Sequence, residues 1–164
     1  GLGRRPRWNG GKIKIKMKSG FYSIPFKTSD EHGIKNFTGV AKLSIYGIVL
    51  EFESKWFGLI RDDLTEARLP LAEILDIRLR RGFFGLGGKI EIRTRTFAAL
   101  ASLPNKNGRI RLKIHREDLR EAKVAVGELQ KAIDEYSASL PPPHSQLSDL
   151  FQTDTGASET DDRG

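Results

Sequence analysis

Residues 109–136, RIRLKIHREDLREAKVAVGELQKAIDEY, decide the fold because the spacing of their apolar residues changes partway through. Up to Ile114, apolar and basic residues alternate, which is the pattern of a strand with one buried face. After Ile114 the apolar residues recur three or four apart, which predicts an amphipathic helix of about 20 residues. The predicted apolar stripe consists of Leu119, Ala122, Val126, Leu129, Ile133 and Tyr136. The chain therefore leaves a sheet and enters a single helix, which Pro141-Pro142-Pro143 ends.

Upstream of this stretch, short β-rich runs are separated by turn residues, at the spacing typical of a small antiparallel barrel or sandwich. The predicted strands are residues 38–45, 48–54, 67–71, 74–81, 89–95, 97–102 and 109–114. Three connections have the composition of tight turns, and these are Tyr46-Gly47, residues 82–88 and residues 104–108. Antiparallel hairpins explain all three.

The N-terminal residues are predicted to add a β-hairpin. Residues 1–11 are basic, contain glycine and proline and show no periodicity, which predicts a flexible basic arm. Residues 12–18 alternate lysine with Ile or Met, and residues 21–26 form a second strand. This strand is expected to lie at an edge or to end early, because Pro25 cannot donate to a ladder. Residues 12–36 thus form a hairpin and loop, which is either an addition to the fold or the true start of its sheet.

The order of about seven β-runs and one C-terminal helix over residues 37–136 resembles the pleckstrin-homology-like superfold, including its bacterial and GRAM-type members. Two local patterns add to the resemblance. LPLAEI at 69–74 leads into a strand, and GKIEI at 88–92 follows a glycine-rich hairpin. The resemblance implies a mainly β domain over residues 37–140, a bent antiparallel barrel of about seven strands capped by the helix. No basic pair follows Lys42 in the first hairpin of this domain, so the resemblance does not imply specific phosphoinositide recognition.

Charge is divided unevenly along the chain. Residues 141–164 hold five acidic residues and one arginine, a net charge of −4, and are predicted to be a disordered acidic tail. Because the whole chain carries +7, residues 1–140 carry +11, which favours an anionic partner. Within the tail, Leu147, Leu150 and Phe151 have helical spacing, which is compatible with a short docking motif or with a solvated tail. The tail is also a candidate to fold over the basic body and compete with anionic ligands.

The motifs of several enzyme and metal-binding classes are missing from the sequence. The chain has no cysteine, and its histidines at 32, 115 and 144 do not have the spacing of metal ligands. GLGGK at 85–89 opens a strand and lacks the Ser/Thr of a phosphate loop. We therefore expect a non-enzymatic protein with no catalytic, cofactor-binding or metal-binding residues. Without an apolar run long enough to span a bilayer, and without a signal peptide, we expect it in the cytoplasm or peripherally at the inner membrane surface.

Alternation also predicts which face of the strands carries the positive charge. In residues 74–81, Leu75, Ile77 and Leu79 are expected to point inward, which leaves Arg78 and Arg80 outside. The same rule places Lys89, Glu91, Arg93 and Arg95 outside in the next strand, and Arg109, Arg111 and Lys113 outside in the last. The hairpin between the first two strands carries aromatic residues flanked by cations, a pattern that favours attachment to acidic lipid. The candidate contact residues are Arg78, Arg80, Arg81, Phe83, Phe84, Lys89 and Arg93.

Other interpretations of the same residues stay open at this point. Trp56 and Phe57 form a possible second membrane loop. The loop aromatics are equally compatible with folding back to cap the barrel, and the basic face with being merely solvated. A protein partner in the groove between helix and sheet edge is favoured nearly as strongly as acidic lipid. Nucleic acid is the least favoured partner, because no recognised nucleic-acid-binding motif is present.

Overall fold

The computed structural model describes residues 20–141, which form eight strands and one α-helix. The strands are β1 (Tyr22–Ser29), β2 (Lys35–Ser44), β3 (Gly47–Trp56), β4 (Ile60–Arg61), β5 (Thr65–Pro70), β6 (Ile74–Arg81), β7 (Gly88–Thr94) and β8 (Arg109–Ile114). Helix α1 (Leu119–Ser139) follows β8 after one 3₁₀ turn at Arg116–Asp118.

All strand pairs are antiparallel, in the order β4-β3-β2-β1-β8-β7-β6, and β5 pairs with β3 beside β4. Among residues 20–141, β6 has no pairing with β5, so the sheet is not closed. This architecture confirms the predicted mainly β class of a bent antiparallel sheet with one C-terminal helix, and it is compatible with a pleckstrin-homology-like barrel.

Apolar residues at alternate strand positions form one core with one face of α1. The inward-facing residues of β8 are Ile110, Leu112 and Ile114, as alternation predicts, and they are all buried. The helix contributes Ala122, Ala125, Val126, Leu129 and Ile133. It also covers the outer edge of β6, where the Ile77 backbone N–H donates to the Gln130 side chain at 2.9 Å. The helix therefore covers the edge of β6 and leaves its outer face free for other contacts.

The structure corrects three sequence predictions. Leu75 is exposed, because a β-bulge between Ile74 and Asp76 shifts the alternation by one residue and places Ile74 inside instead. Residues 97–102 do not form a strand, because Ala98–Leu100 is a 3₁₀ turn. This turn buries Leu100 in the core. The strand containing Pro25 neither lies at an edge nor ends early, because β1 pairs with both β2 and β8 and continues to Ser29.

Strand β1 therefore belongs to the sheet itself, which starts no later than Tyr22. Its pairing with β8 joins Lys27 to Lys113, beyond Pro25 in the chain. The predicted basic arm 1–11, the predicted strand 12–18 and the docking motif Leu147, Leu150 and Phe151 lie outside the described residues.

Candidate functional site

The hairpin joining β6 and β7 ends in three exposed apolar side chains, which we call the apolar tip: Phe83, Phe84 and Leu86. Their exposed fractions are 88%, 95% and 79%, so none of them packs into the core. The interpretation in which Phe83 and Phe84 cap the barrel is therefore wrong. Large side chains this exposed are candidates for contact with an apolar partner.

The backbone of the tip is a tight turn with an unusual conformation. The Gly82 N–H donates to the Gly87 carbonyl at 2.8 Å and closes the loop. Within it, Phe84 has φ 56° and Gly85 has φ 68°. The left-handed region is unfavourable for a bulky side chain, and strain of this kind clusters at functional sites. The loop thus holds a phenylalanine outward at a cost in backbone strain.

A row of cations crosses the sheet next to the tip. Register places Arg80 opposite Lys89, Lys89 opposite Lys113, and Lys113 opposite Lys27. We call Lys27, Lys113, Lys89 and Arg80 the cation row. It spans four adjacent strands, or about 14 Å at the usual strand spacing. Like charges directly opposite one another destabilise a sheet, so this arrangement has no benefit for the fold.

The three lysines of the row form no ion pair with any described residue. The outer face of β6, β7, β8 and β1 carries eight cations and only two acids, Asp76 and Glu91. In contrast, the outer face of β2, β3 and β5 is balanced, with ion pairs such as Lys42–Glu51 at 2.6 Å. The positive charge of the described strands is thus concentrated on the outer face of β6, β7, β8 and β1, and its lysines lie at the end nearest the apolar tip.

Two predicted contact residues lie further from the tip and are paired with carboxylate. Arg93 forms a hydrogen-bonded ion pair with Asp76, and Arg78 lies 4.0 Å from the same carboxylate. Hydrogen bonding to Arg93 holds the pKa of Asp76 below its usual value. Of the predicted set, the structure therefore groups Arg80, Arg81, Lys89, Phe83 and Phe84 at the tip, where Arg80 pairs with Glu91 at 3.6 Å. It places Arg78 and Arg93 further away, in ion pairs with Asp76.

The chain leading into α1 also lies against the tip. A Cβ placed on Gly87 would stand 2.6 Å from the Ile114 carbonyl oxygen, and one on Gly88 would stand 2.8 Å from both the Arg80 carbonyl oxygen and Leu119 Cδ2. Close approach therefore requires glycine at both positions. The close approach of this segment also brings the exposed Arg116 near the tip. Arg116 is a further cation outside the set predicted from the sequence.

The second predicted membrane loop adopts the same turn at the other end of the strands. Phe57 and Gly58 have φ 51° and 72°, and the Leu59 N–H donates to the Trp56 carbonyl. The register places this turn at the end of β3 that pairs with Lys35 and Asn36 of β2. The tip lies at the end of β7 that pairs with Ile114 of β8. The two loops therefore cannot enter one flat surface side by side.

The shared turn reflects a short sequence repeat that strand and turn patterns alone do not reveal. Residues 56–59 read WFGL and residues 83–86 read FFGL. We call them the WFGL turn and the FFGL turn. The aromatic-Phe-Gly-Leu repeat is a usable signal in the sequence, whereas the cation row has none, because it requires the register of strands that are distant in the sequence.

A cleft of about 740 Å³ lies between the β1–β2 and β7–β8 connections. The basic residues that line it are His32, Lys106, Arg109 and Arg111. Lys106 pairs with Glu31, and both arginines pair with Glu91. Its strong cations are therefore partly neutralised, unlike the lysines of the cation row.

Comparisons of the chain with protein-family models, with curated proteins and with solved structures found no match. Within residues 20–141, no group of three His, Cys, Asp or Glu side chains is arranged to hold a metal ion. The one α-helix of this region is not apolar enough to cross a bilayer. The site is therefore interpreted from its own geometry.

Proposed function

We propose that this protein is a non-enzymatic, pleckstrin-homology-like binding module that attaches reversibly to acidic membrane surfaces, at the cytoplasmic side, through the β6–β7 hairpin. The observation that carries the proposal is the adjacency of the exposed apolar tip to three lysines of the cation row that form no ion pair within residues 20–141. Peripheral domains bind bilayers by combining these two elements, apolar groups at the acyl boundary and cations at the headgroups.

The magnitudes are sufficient for reversible attachment. Burying a phenylalanine or leucine side chain contributes about 1.5–3 kcal/mol, and three such side chains are exposed at the tip. Each cation near an acidic surface adds about 1 kcal/mol. The three lysines of the cation row, with Arg81 and Arg116 beside them, supply this attraction. Since the lysines have no carboxylate partner among the described residues, they are available to phosphate groups.

Co-sedimentation with vesicles tests the proposal. We expect binding to vesicles that contain an acidic lipid and little binding to vesicles of neutral lipid alone. Because salt shortens the Debye length from about 10 Å at 0.1 M to about 3 Å at 1 M, binding weakens as salt is added. Absence of binding to acidic vesicles at low salt would contradict the proposal.

A protein-interaction module is the second candidate, and a specific observation favours it. Leu75 of β6 and Val124 of α1 are exposed apolar side chains on two elements that pack against each other. Exposed apolar side chains of this kind are candidates for contact with a protein partner. Substituting Leu75→Ser together with Val124→Ser should abolish capture of a protein partner while vesicle binding is unchanged. If the double substitution instead weakens vesicle binding, these side chains belong to the lipid-binding surface.

A further inference from the structure

Glu91 lies on the outer face of β7, yet only 5% of it is exposed. Register places Arg78 and Arg111 directly opposite it on the two neighbouring strands. Its carboxylate oxygens lie 3.2 Å from Arg111 Nε, 3.5 Å from Arg109 Nη1 and 3.6 Å from Arg80 Nε. Arginine side chains therefore cover this carboxylate, and a single negative charge is shared among three guanidinium groups.

The position of Glu91 decides which part of the cationic face is compensated. Lys89 precedes it by two residues on the same strand, so the cation row lies between Glu91 and the apolar tip. Of the three arginines that Glu91 binds, Arg111 lies level with it and Arg109 lies further from the tip, whereas Arg80 belongs to the cation row. Without this carboxylate, the outer face of β6, β7 and β8 would attract an anionic surface over its whole length.

We infer that Glu91 is a specificity-determining residue: it withholds the arginines of the outer face from external phosphate groups, and so directs the domain to acidic lipid by its apolar tip. This inference rests on the proposed function. Asp76 does the same for Arg93, but Glu91 has the larger effect because it binds three arginines from two strands.

The test compares Glu91→Gln with the wild type in co-sedimentation with vesicles containing an acidic lipid. The glutamine keeps the size of the side chain and removes its charge, which frees about one positive charge. At about 1 kcal/mol per charge near the surface, binding should tighten about fivefold at low salt, with a steeper salt dependence. Glu51→Gln is the matched control, because it makes the same charge change on the balanced face, beside Lys42. It should change the affinity less than twofold.

A double substitution separates the inference from a general effect on folding. Arg111→Gln alone should weaken vesicle affinity less than it does in the Glu91→Gln background, because Arg111 donates to Glu91 in the wild type. In the Glu91→Gln background, the same Arg111→Gln substitution should remove the fivefold gain. A structural role alone predicts additive changes in melting temperature and no such coupling in affinity.

The outcomes distinguish this inference from the proposed function. Tighter binding of Glu91→Gln that depends on Arg111 supports the inference. If the wild type binds and Glu91→Gln binds equally well or more weakly, the inference is overturned and the proposed function stands. If neither protein binds acidic vesicles, the proposed function has failed and the inference fails with it. Binding by Glu91→Gln alone would support the role of Glu91 and overturn tip-first attachment of the wild type.

Discussion

The FFGL turn and the WFGL turn have the same backbone and nearly the same sequence, but their surroundings differ. Trp56 donates from its indole N–H to Asp62 at 3.0 Å, and the Lys35 ammonium lies 4.6 Å from the centre of its ring. Asp62 also accepts a hydrogen bond from Ser54 and pairs with Lys35. In the FFGL turn, Phe83 and Phe84 are more exposed than Trp56, and the cations beside them include lysines without a partner in the described chain.

This difference shows that an exposed apolar turn acquires a function from the charges beside it. At the WFGL turn, Lys35 is already satisfied by a carboxylate and an aromatic ring, so little attraction is left for an external anion. At the FFGL turn, the cation row adds electrostatic attraction to apolar burial. We therefore expect only the FFGL turn to bind acidic membranes.

The largest effect is expected from removing the apolar side chains of the FFGL turn. Phe83→Ser with Phe84→Ser should weaken binding to acidic vesicles about 100-fold, because two phenylalanines together contribute at least about 3 kcal/mol of burial. The unfolding free energy should stay within about 0.5 kcal/mol of the wild type, since both side chains are exposed. Co-sedimentation and denaturant unfolding measure the two quantities.

The matched control for this substitution lies in the WFGL turn. Phe57→Ser with Leu59→Ser removes two similarly exposed apolar side chains and should leave vesicle binding unchanged. Equal losses in the two double variants would remove the distinction between the turns. A large loss of stability in the FFGL variant would show that its phenylalanines support the fold.

The next largest effect is expected from the cation row. Lys89→Gln with Lys113→Gln should weaken binding about 30-fold at low salt and flatten its salt dependence, because each lysine contributes about 1 kcal/mol. Stability should be unchanged or slightly raised, since two like charges directly opposite one another are removed. The variant Lys55→Gln with Lys106→Gln makes the same charge change at the end with the WFGL turn. Should that control lose as much affinity, net charge rather than the cation row would govern binding.

A smaller effect, on the free energy of unfolding, is expected in both turns because they share the same backbone conformation. Phe84→Asn and Phe57→Asn should each raise the unfolding free energy by about 1 kcal/mol, because asparagine before glycine suits two successive residues with positive φ. Only Phe84→Asn should also weaken vesicle binding. Thermal unfolding measured alongside co-sedimentation tests both parts, and a loss of stability in either variant would contradict the assigned strain.

Removal of residues 141–164 is expected to tighten binding to acidic vesicles a few-fold at low salt. These residues carry a net charge of −4, which opposes approach to an anionic surface or competes for the cation row. The gain should disappear at high salt, where such interactions are screened. Unchanged affinity at low salt would show that the tail does not act on the binding surface.

The smallest effect concerns the anchored WFGL turn. Hydrogen bonds from Ser54 and Trp56, followed by the interaction with Lys35, lower the pKa of Asp62. This contribution to stability is complete above the usual aspartate pKa of about 3.9 and is lost as the pH falls through the lower folded value. In a Trp8→Phe background, the fluorescence of Trp56 should therefore change below about pH 3.9, and Asp62→Asn should abolish the transition. A transition that persists in Asp62→Asn would contradict the anchoring role.

Local patterns were sufficient to predict the fold class and most of the candidate site. Alternation in 109–114 correctly placed Arg111 and Lys113 outside, and the spacing after Ile114 correctly predicted the helix. Prediction failed at Leu75, because the Ile-Leu-Asp-Ile sequence suits either face until the bulge sets the register. It also failed at 97–102, where apolar composition suggested a strand although the segment instead buries Leu100 from a 3₁₀ turn.

Local sequence patterns could not predict the parts of the site that depend on residues distant in the sequence. Lys27 joins the cation row only because β1 pairs with β8, and the local pattern of residues 12–36 leaves the place of β1 open. The burial of Glu91 likewise depends on arginines from two neighbouring strands. Exposed and compensated cations look the same in a sequence, so a local pattern groups the paired Arg78, Arg80 and Arg93 with Lys89.

Depth measurements on single-cysteine variants test tip-first attachment most directly. The chain has no cysteine, so Leu86→Cys and Leu59→Cys each provide one labelling position, in the FFGL turn and in the WFGL turn. With an environment-sensitive label on vesicles containing acidic lipid, we predict that the label at position 86 enters the apolar layer and that the label at position 59 stays in water. Insertion at position 59, or insertion at neither position while the protein is bound, would contradict the account.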